Sequence, residues 1–182
     1  VGAAGAATDL TGLTSFTTVN LGASAAANAY TVADGAVTVN LDAGGTSVIL
    51  GTGNQAVNAG AGADVIALNA GNTVGNLGSY VAEVSDLGAG DTIDTAGNGG
   101  TTYLVDIASY NAATFAAEVN AKLVALAAYA PAANDIILAR VAGSSSDIYA
   151  VVDQTGDSVS AADSVVHLVG TITVSLDGAV FI

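Results

Sequence analysis

Residues 50–67 read LGTGNQAVN AGAGADVIA, two nine-residue lines with glycine at the second and fourth positions and an aliphatic side chain at the eighth. The same spacing extends from Thr14 to Asn76. The fourth position holds Gly35, Gly44, Gly53, Gly62 and Gly71, and the eighth holds Leu21, Tyr30, Val39, Val48, Val57 and Ile66. The chain therefore repeats a nine-residue unit.

Each unit predicts a turn followed by a short strand. Glycine allows a tight corner without steric cost, and one large apolar side chain per line suits a strand that points inward once. Such a strand cannot bury its face alone, so we expect the units to stack, two per coil. This predicts a mainly β fold whose N-terminal half is a parallel β-roll or β-helix-like solenoid. A β-sandwich with evenly spaced hairpins is the alternative.

The chain divides into a repeat region, residues 1–100, and an α+β cap region, residues 101–182. The stretch VAEVSDLGAGDTIDTAGNGG, residues 81–100, indicates a closing turn between them. One helix is predicted over 111–131, capped by Asn111, stopped by Pro131, and buried through Phe115, Val119, Leu123, Leu126 and Ala130. It should lie across a sheet or a roll end. Strands are expected at 101–110 and, as an antiparallel meander, at 135–143, 147–153, 163–170 and 171–182.

Composition narrows the classes of function. Among 182 residues there are 2 basic and 16 acidic side chains, a formal net charge of −14. This charge repels nucleic acid and anionic membranes and attracts cations. Without cysteine the chain has neither disulfides nor thiolate metal sites. With 3 Phe, 6 Tyr and no Trp, the 52% apolar fraction predicts a thin interior built from small aliphatic side chains.

No segment is predicted to cross a membrane. The most apolar stretch, residues 112–133, is interrupted by Glu118, Asn120, Lys122 and Pro131. The chain begins VGAAGAATDL, with neither an initiator Met nor a signal peptide, so we expect a processed product or a segment of a longer protein.

The line AGAGADVIA, residues 59–67, resembles the nonapeptide of the repeats-in-toxin (RTX) family, Gly-Gly-x-Gly-x-Asp-x-aliphatic-x. Gly60, Gly62 and Asp64 match that pattern by position. The resemblance implies calcium held between stacked turns, with Asp42, one coil before Gly60, as a further ligand. The sixth position elsewhere is Asn28, Val37, Thr46 or Gln55, so the pattern supports one site at most.

A second resemblance covers residues 83–94, EVSDLGAGDTID, and residues 147–181. Both are similar to the C-terminal region of bacterial proteins exported by type I secretion, which include RTX proteins and many S-layer proteins. Leu87 stands where that family has an aromatic residue, and Thr95 where it has leucine. The resemblance implies export through an uncleaved C-terminal signal, folding outside the cell, and calcium ligands at Asp86, Asp91 and Asp94.

Turn and helix-cap roles are the alternative for these aspartates, and we favour them for Asp153, Asp157 and Asp163. His167 is expected to be a partly buried structural residue, because a single imidazole with no His or Cys partner makes no typical catalytic zinc site. The sequence also lacks a G-x-S-x-G elbow, an H-E-x-x-H motif and a phosphate-binding lysine loop. We therefore expect a protein that is not an enzyme.

Two functions remain in contention. The first is an extracellular structural protein at the bacterial cell surface that assembles with its own copies into an S-layer or filament, is stabilised by calcium and contacts a cell-surface glycan. The second is a calcium-responsive secretion and folding module of a larger exported enzyme or adhesin. A carbohydrate-binding β-helix is a third interpretation, but Phe16, Tyr30 and Tyr80 are too sparse to form an aromatic row.

Overall fold

The computed structural model describes residues 7–21, 28–41, 43–95, 100–170, 172 and 180–181. Its strands form two sheets. The first sheet is parallel and contains, in order, β1 (Ala7–Leu10), β3 (Asn28–Val32), β5 (Thr46–Ile49), β7 (Val65–Ala67) and β9 (Thr92–Asp94). The second is mixed and contains, in order, β10 (Thr102–Ile107), β11 (Asp135–Val141), β12 (Asp147–Asp153), β13 (Ser164–Val169), β8 (Ala82–Ser85), β6 (Ala56–Asn58), β4 (Thr38–Asn40) and β2 (Thr18–Asn20). Within the described residues there is one α-helix, α1, which spans Phe115–Val124. The mainly β prediction is confirmed.

Successive strands from β1 to β9 alternate between the two sheets, so each strand pairs with the strand two places earlier in the chain. Thr38 pairs with Ala56 and Ser47 with Val65, in both cases 18 residues apart. The nine-residue unit thus contributes one strand, and two units bring the chain back to the same sheet. The predicted turn-plus-strand unit is confirmed in the four lines from residue 32 to residue 67.

The last predicted unit, residues 68–76, does not form a strand. It contains a 3₁₀ turn over Val74–Asn76, and the next strands pair with an offset of 27 residues, as in Val65 with Thr92. Glycine occupies the eighth position of this line, at Gly75, where the earlier lines place a large apolar side chain. Without that side chain the unit lacks the inward eighth-position residue of the earlier lines, and it loops out.

The interior between the two sheets is aliphatic, as the composition predicts. All eighth-position side chains are buried, from Leu21 to Ile66. The sixth position is also inward at Val37, Thr46, Gln55 and Asp64, because strand side chains alternate. It places a polar residue inside the stack at Gln55 and Asp64.

The C-terminal strands continue the second sheet. Strand β12 pairs antiparallel with both β11 and β13, as predicted for this segment, but β10 pairs with β11 in parallel. A parallel pair needs a crossover connection, and α1 supplies it. The segment 171–182 lies mostly outside the described residues, although Phe181 is buried and forms a parallel bridge with Ile93 of β9.

The helix is shorter than predicted. Asn111 does not cap it; the Asn111 carboxamide oxygen accepts the Ala113 amide 3.0 Å away, in the turn before the helix, and Thr114 occupies the N-cap position. Phe115, Val119 and Leu123 are buried as expected. Leu126 is 36% exposed and Ala130 is exposed, so the expected burial of these two is wrong. Short helices depend on packing of their apolar face, and here that packing ends at Leu123.

The helix lies across the second sheet, which agrees with the prediction. Its buried face packs in one cluster with side chains of β10 to β13, among them Val105, Ile137 and Tyr149. The opposite face of the same strands, including Leu138 and Val166, belongs to the interior between the two sheets. None of the described helices is long and apolar enough to cross a membrane.

Candidate metal site

Glycine turns lie directly above one another in the stack of coils. A Cβ atom added to Gly62 would approach the Gly44 carbonyl oxygen to 3.0 Å, and one added to Gly53 would approach the Gly35 oxygen to 2.7 Å. The two pairs are each 18 residues apart. At Gly53 and Gly62, glycine is therefore required by the close approach of neighbouring coils. We call the turns 43–45, 61–64 and 88–91, which precede strands of the first sheet, the turn column.

Asp64 lies in the turn column and is completely buried. Its Oδ1 accepts the backbone amide of Thr46, one coil earlier, at 2.7 Å. Its own amide donates to Asp91 Oδ1, one coil later, at 2.9 Å, and Asp91 Oδ2 accepts the Gly88 amide at 2.7 Å. The two aspartates therefore join three successive coils through hydrogen bonds from side chain to backbone.

The structure brings together only some of the predicted calcium ligands. Gly62, Asp64 and Asp91 lie in the turn column, and Gly60 begins the same turn with a φ of +74°. Asp86 is exposed in the turn after β8, at a φ of +56°, and Asp94 lies in β9 opposite Ala67. Asp42 lies outside the described residues.

The donor chemistry of the turn column fits calcium. Asp64 and Asp91 supply carboxylate oxygens, and the glycine turns supply carbonyl groups, which are the hard ligands that calcium takes. Within the described ranges, no group of three or more His, Cys, Asp or Glu side chains converges on one point. A calcium ion here would therefore depend on main-chain carbonyls and water for most of its oxygens, with Asp64 and Asp91 as its charged ligands.

Further polar side chains link the coils, and sequence reasoning missed them. Asp34 Oδ1 accepts the Thr52 amide at 2.7 Å, and this hydrogen bond lowers the pKa of Asp34. Buried Gln55 donates its Nε2 to the Ala33 carbonyl at 2.7 Å. Asn40 donates its Nδ2 to Asn20 Oδ1 at 2.7 Å. The repeated triplet TVN, at 18–20 and 38–40, was the signal that could have revealed the last of these.

The C-terminal aspartates have the turn roles that the sequence favours for them. Asp153 Oδ1 accepts the Gly156 amide at 2.7 Å, and Asp163 accepts the amides of Gln154 and Ser160 at 3.0 and 2.7 Å. Burial raises the pKa of Asp163 above its usual value. Exposed Asp157 accepts the Thr155 hydroxyl at 2.6 Å.

His167 on β13 is partly buried, as expected, with a side chain that is 15% exposed. Its Nε2 lies 2.8 Å from Asp147 Oδ1 on β12, and its Nδ1 lies 3.3 Å from Glu83 Oε2 on β8. The ring stacks on Tyr149 with centroids 4.2 Å apart. These contacts give His167 a structural role in holding three strands together.

Comparisons with protein families, with curated proteins and with solved structures return no match to this chain. A function can therefore be argued only from the residues and their geometry.

Proposed function

We propose that this chain is an extracellular structural protein that assembles with its own copies into an S-layer or filament and is stabilised by calcium. The observation that carries the proposal is the stack of parallel strands joined by glycine turns at an 18-residue offset. Stacked strands leave backbone groups unpaired at their outer edges, and such edges favour pairing with further strands. In a protein that assembles, such edges would allow copies of the chain to bind one another.

The same offset supports a β-roll of the RTX type as the architecture of the repeat region. The resemblance to RTX proteins implies two nine-residue units per coil, one strand in each sheet, and stacked glycine turns. The insertion at residues 68–81 interrupts the roll between β7 and β9 of the first sheet and between β6 and β8 of the second.

Calcium is proposed for the turn column on the grounds of charge and donor type. The chain has a formal net charge of −14, and a compact fold concentrates that charge. Calcium bound at the turn column would offset part of it. Asp64 and Asp91 would hold the ion while continuing to accept the amides of Thr46 and Gly88.

The alternative is a calcium-responsive secretion and folding module of a larger exported protein. The observation that favours it is the arrangement of the C-terminal region, in which β13 pairs with β8 and Phe181 lies against β9. These contacts cover one end of the repeat strands, as a terminal cap would. Under this alternative the chain stays monomeric in calcium.

The test is particle size and morphology, by light scattering and negative-stain electron microscopy, in chelator and then with calcium added. We expect ordered sheets or filaments that appear with calcium and disperse in chelator. A compact monomer in calcium would support the secretion module instead. Ordered sheets or filaments that persist in chelator would support self-assembly and contradict the role proposed for calcium.

Asp64→Asn separates the two roles of Asp64. Asparagine keeps an oxygen for the Thr46 amide but removes the charge that calcium needs. We expect this variant to remain folded and to lose the calcium response. Asp106→Asn is the matched control, because Asp106 is exposed and pairs with Arg140, away from the turn column. It should respond to calcium as the unaltered chain does.

A further inference from the structure

Three aspartates lie side by side across the C-terminal strands of the second sheet. Asp135 begins β11 and is the register partner of Asp153, the last residue of β12. Asp163 immediately precedes β13, whose first residue, Ser164, is the partner of Val152, so Asp163 lies beside Asp153 on the other side. Residues directly opposite each other in an antiparallel pair point to the same face. We call Asp135, Asp153 and Asp163 the aspartate row.

The aspartate row lies on the face of the sheet that α1 covers. Ile137, Val151 and Val165, each two residues along the strand from one of the three aspartates, belong to the same apolar cluster as the buried face of the helix. Because side chains on a strand alternate, the aspartates share that face. Their exposed fractions are 1%, 0% and 0% in sequence order. Three carboxyl groups are therefore withdrawn from water together, which is costly unless their charge is compensated.

No positive side chain provides that compensation. None of the ion pairs among the described residues includes a member of the aspartate row. Arg140 and His167 lie against other carboxylates, and Lys122, the remaining basic residue, is exposed on α1. Burial, and with it the charge of Asp153, raises the pKa of Asp163. The repulsion within the row is thus left to something other than a basic side chain.

Backbone amides satisfy the carboxylate oxygens of the row with one exception. Both oxygens of Asp135 and both of Asp163 accept hydrogen bonds from backbone amides. On Asp153, Oδ1 accepts the amides of Thr155 and Gly156 at 3.0 and 2.7 Å, but no described group donates to the buried Oδ2. The carboxylate oxygen without a partner therefore belongs to the middle aspartate of the row.

Tyr129, in the segment after α1, brings a second oxygen of this kind. Its ring packs against the same apolar cluster and lies edge-on to Tyr103, with centroids 5.0 Å apart. Its hydroxyl oxygen is buried, and no described group forms a hydrogen bond with it. Burial, followed by the charges of Asp153 and Asp135, raises the pKa of Tyr129, so the hydroxyl lies within the electrostatic field of the row. Buried polar atoms normally have a partner, and an ion or a water supplies it where the protein does not.

We propose that a calcium ion binds at the middle of the aspartate row, with Asp153 Oδ2 and the Tyr129 hydroxyl as its side-chain ligands. The three carboxylates do not converge on one point, so Asp135 and Asp163 keep their backbone amides and contribute charge. Main-chain carbonyls and water complete the oxygen ligands that calcium takes. A water molecule alone would bond to both oxygens and leave the charge of the row uncompensated.

This site depends neither on the turn column nor on self-assembly. Calcium in the row would join the ends of β11, β12 and β13 and fix the loop 154–162 between the last two. The same loop is already tied to α1, because Asn120 donates to the Val159 carbonyl at 2.8 Å and accepts the Val159 amide at 2.9 Å. The ion would therefore stabilise the C-terminal region, where the turn column has no residue.

Calcium titration by calorimetry in an Asp64→Asn background tests the site, because that background removes the charge of Asp64 from the turn column. We expect this chain to retain a calcium site whose dissociation constant rises about tenfold or more when Asp153→Asn is added. Asp9→Asn is the matched control. Asp9 Oδ1 accepts the amide and the hydroxyl of Thr11, as Asp153 Oδ1 does those of Thr155, but Asp9 is exposed. It should leave calcium affinity unchanged.

Tyr129→Phe, in the otherwise unaltered chain, gives a second measurement that does not depend on how the row tolerates asparagine. It keeps the ring beside Tyr103 and removes only the hydroxyl. Loss of a buried hydroxyl without a protein partner should not lower the melting temperature in chelator. Loss of a ligand should raise the calcium dissociation constant about threefold or more. Tyr103→Phe is the control, since the Tyr103 hydroxyl donates to the Ala130 carbonyl at 3.4 Å, and it should bind calcium as the unaltered chain does.

Other results would overturn the site. If Asp64→Asn abolishes all calcium binding, or if neither Asp153→Asn nor Tyr129→Phe weakens it, the row holds no calcium and the turn column remains the candidate. A Tyr129→Phe chain that melts lower in chelator and binds calcium normally would show that the hydroxyl serves the fold alone. Particle size and morphology are measured separately, so none of these results bears on self-assembly.

Discussion

Aspartate side chains in this chain accept hydrogen bonds from backbone amides of neighbouring coils, a role that backbone carbonyls usually have. Asp34 accepts the amide of Thr52, and Asp64 accepts that of Thr46, each from a coil 18 residues away. A charged acceptor makes a stronger hydrogen bond than a neutral one, so each contact helps to fix the spacing between coils. The resemblance of its line to an RTX nonapeptide identifies Asp64 from the sequence. Its burial and its amide partner depend on the neighbouring coil.

The hydrogen bonds of Asp34 predict how the stability of the fold changes at acid pH. The hydrogen bonds from Thr52 lower the pKa of Asp34 below the usual aspartate value of 3.8. A carboxylate with a lowered pKa in the folded state contributes stability above pH 3.8, and that contribution is lost as the pH falls through the folded value. We expect Asp34→Asn to lower the melting temperature slightly near pH 6 and to match the unaltered chain near pH 2.

Thermal melts across that pH range measure this difference. Asp86→Asn is the control, because Asp86 is exposed and no described group donates to its carboxylate. A difference between Asp34→Asn and the unaltered chain that is constant with pH would show that the charge of Asp34 does not stabilise the fold.

At the scale of elements, glycine turns decide how closely the coils stack. Gly35 and Gly53 have nearly the same conformation, with φ of +110° and +114°. They differ in their neighbours: a Cβ on Gly35 would meet nothing within 4 Å, whereas one on Gly53 would lie 2.7 Å from the Gly35 oxygen. A comparison of Gly35 with Gly53 therefore separates the need for glycine at positive φ from the need for glycine in close packing.

Alanine at these two positions should destabilise the chain unequally. Gly35→Ala places alanine at positive φ and should cost about 1–2 kcal/mol in the free energy of unfolding. Gly53→Ala adds a backbone clash, so we expect a total of about 3 kcal/mol or more. Urea denaturation of both variants measures the difference. Equal costs would mean that the coils separate freely and that stacking does not require glycine.

At the scale of the whole molecule, one histidine joins strands from both regions of the chain. His167 on β13 contacts Glu83 on β8 and Asp147 on β12, where the repeat strands meet the C-terminal strands. The junction thus depends on side chains that are distant in sequence.

His167→Phe should loosen this junction. Phenylalanine keeps a ring to stack on Tyr149 but removes both contacts with carboxylates. We expect a loss of about 1–2 kcal/mol in unfolding free energy and faster hydrogen exchange at the amides of β8 and β13, with those of β5 unchanged. Arg140→Gln, which breaks the exposed ion pair with Asp106, is the control and should cost less than about 1 kcal/mol. Unchanged exchange at β8 would contradict the role given to His167.

Local patterns in the sequence determined the strands and turns. The nine-residue spacing located the strands from β4 to β7, the buried eighth-position side chains and the glycine corners, because each of these depends on residues within one unit. The start of the buried helix face could also be predicted from nearby residues, because Phe115, Val119 and Leu123 are spaced by helical turns.

The sequence predicted neighbours 18 residues apart, and only the tertiary structure decided where that spacing is interrupted. The bonds from Asp64 to Thr46 and to Asp91 span 18 and 27 residues, and the second span exists because residues 68–81 loop out. The surfaces that meet in the folded chain also determine where the helix ends, how β10 pairs with β11 and how β13 covers β8. Register between distant segments is set by the packing of the whole core, and a repeat along one chain predicts its regular partners but not the place where the stacking is interrupted.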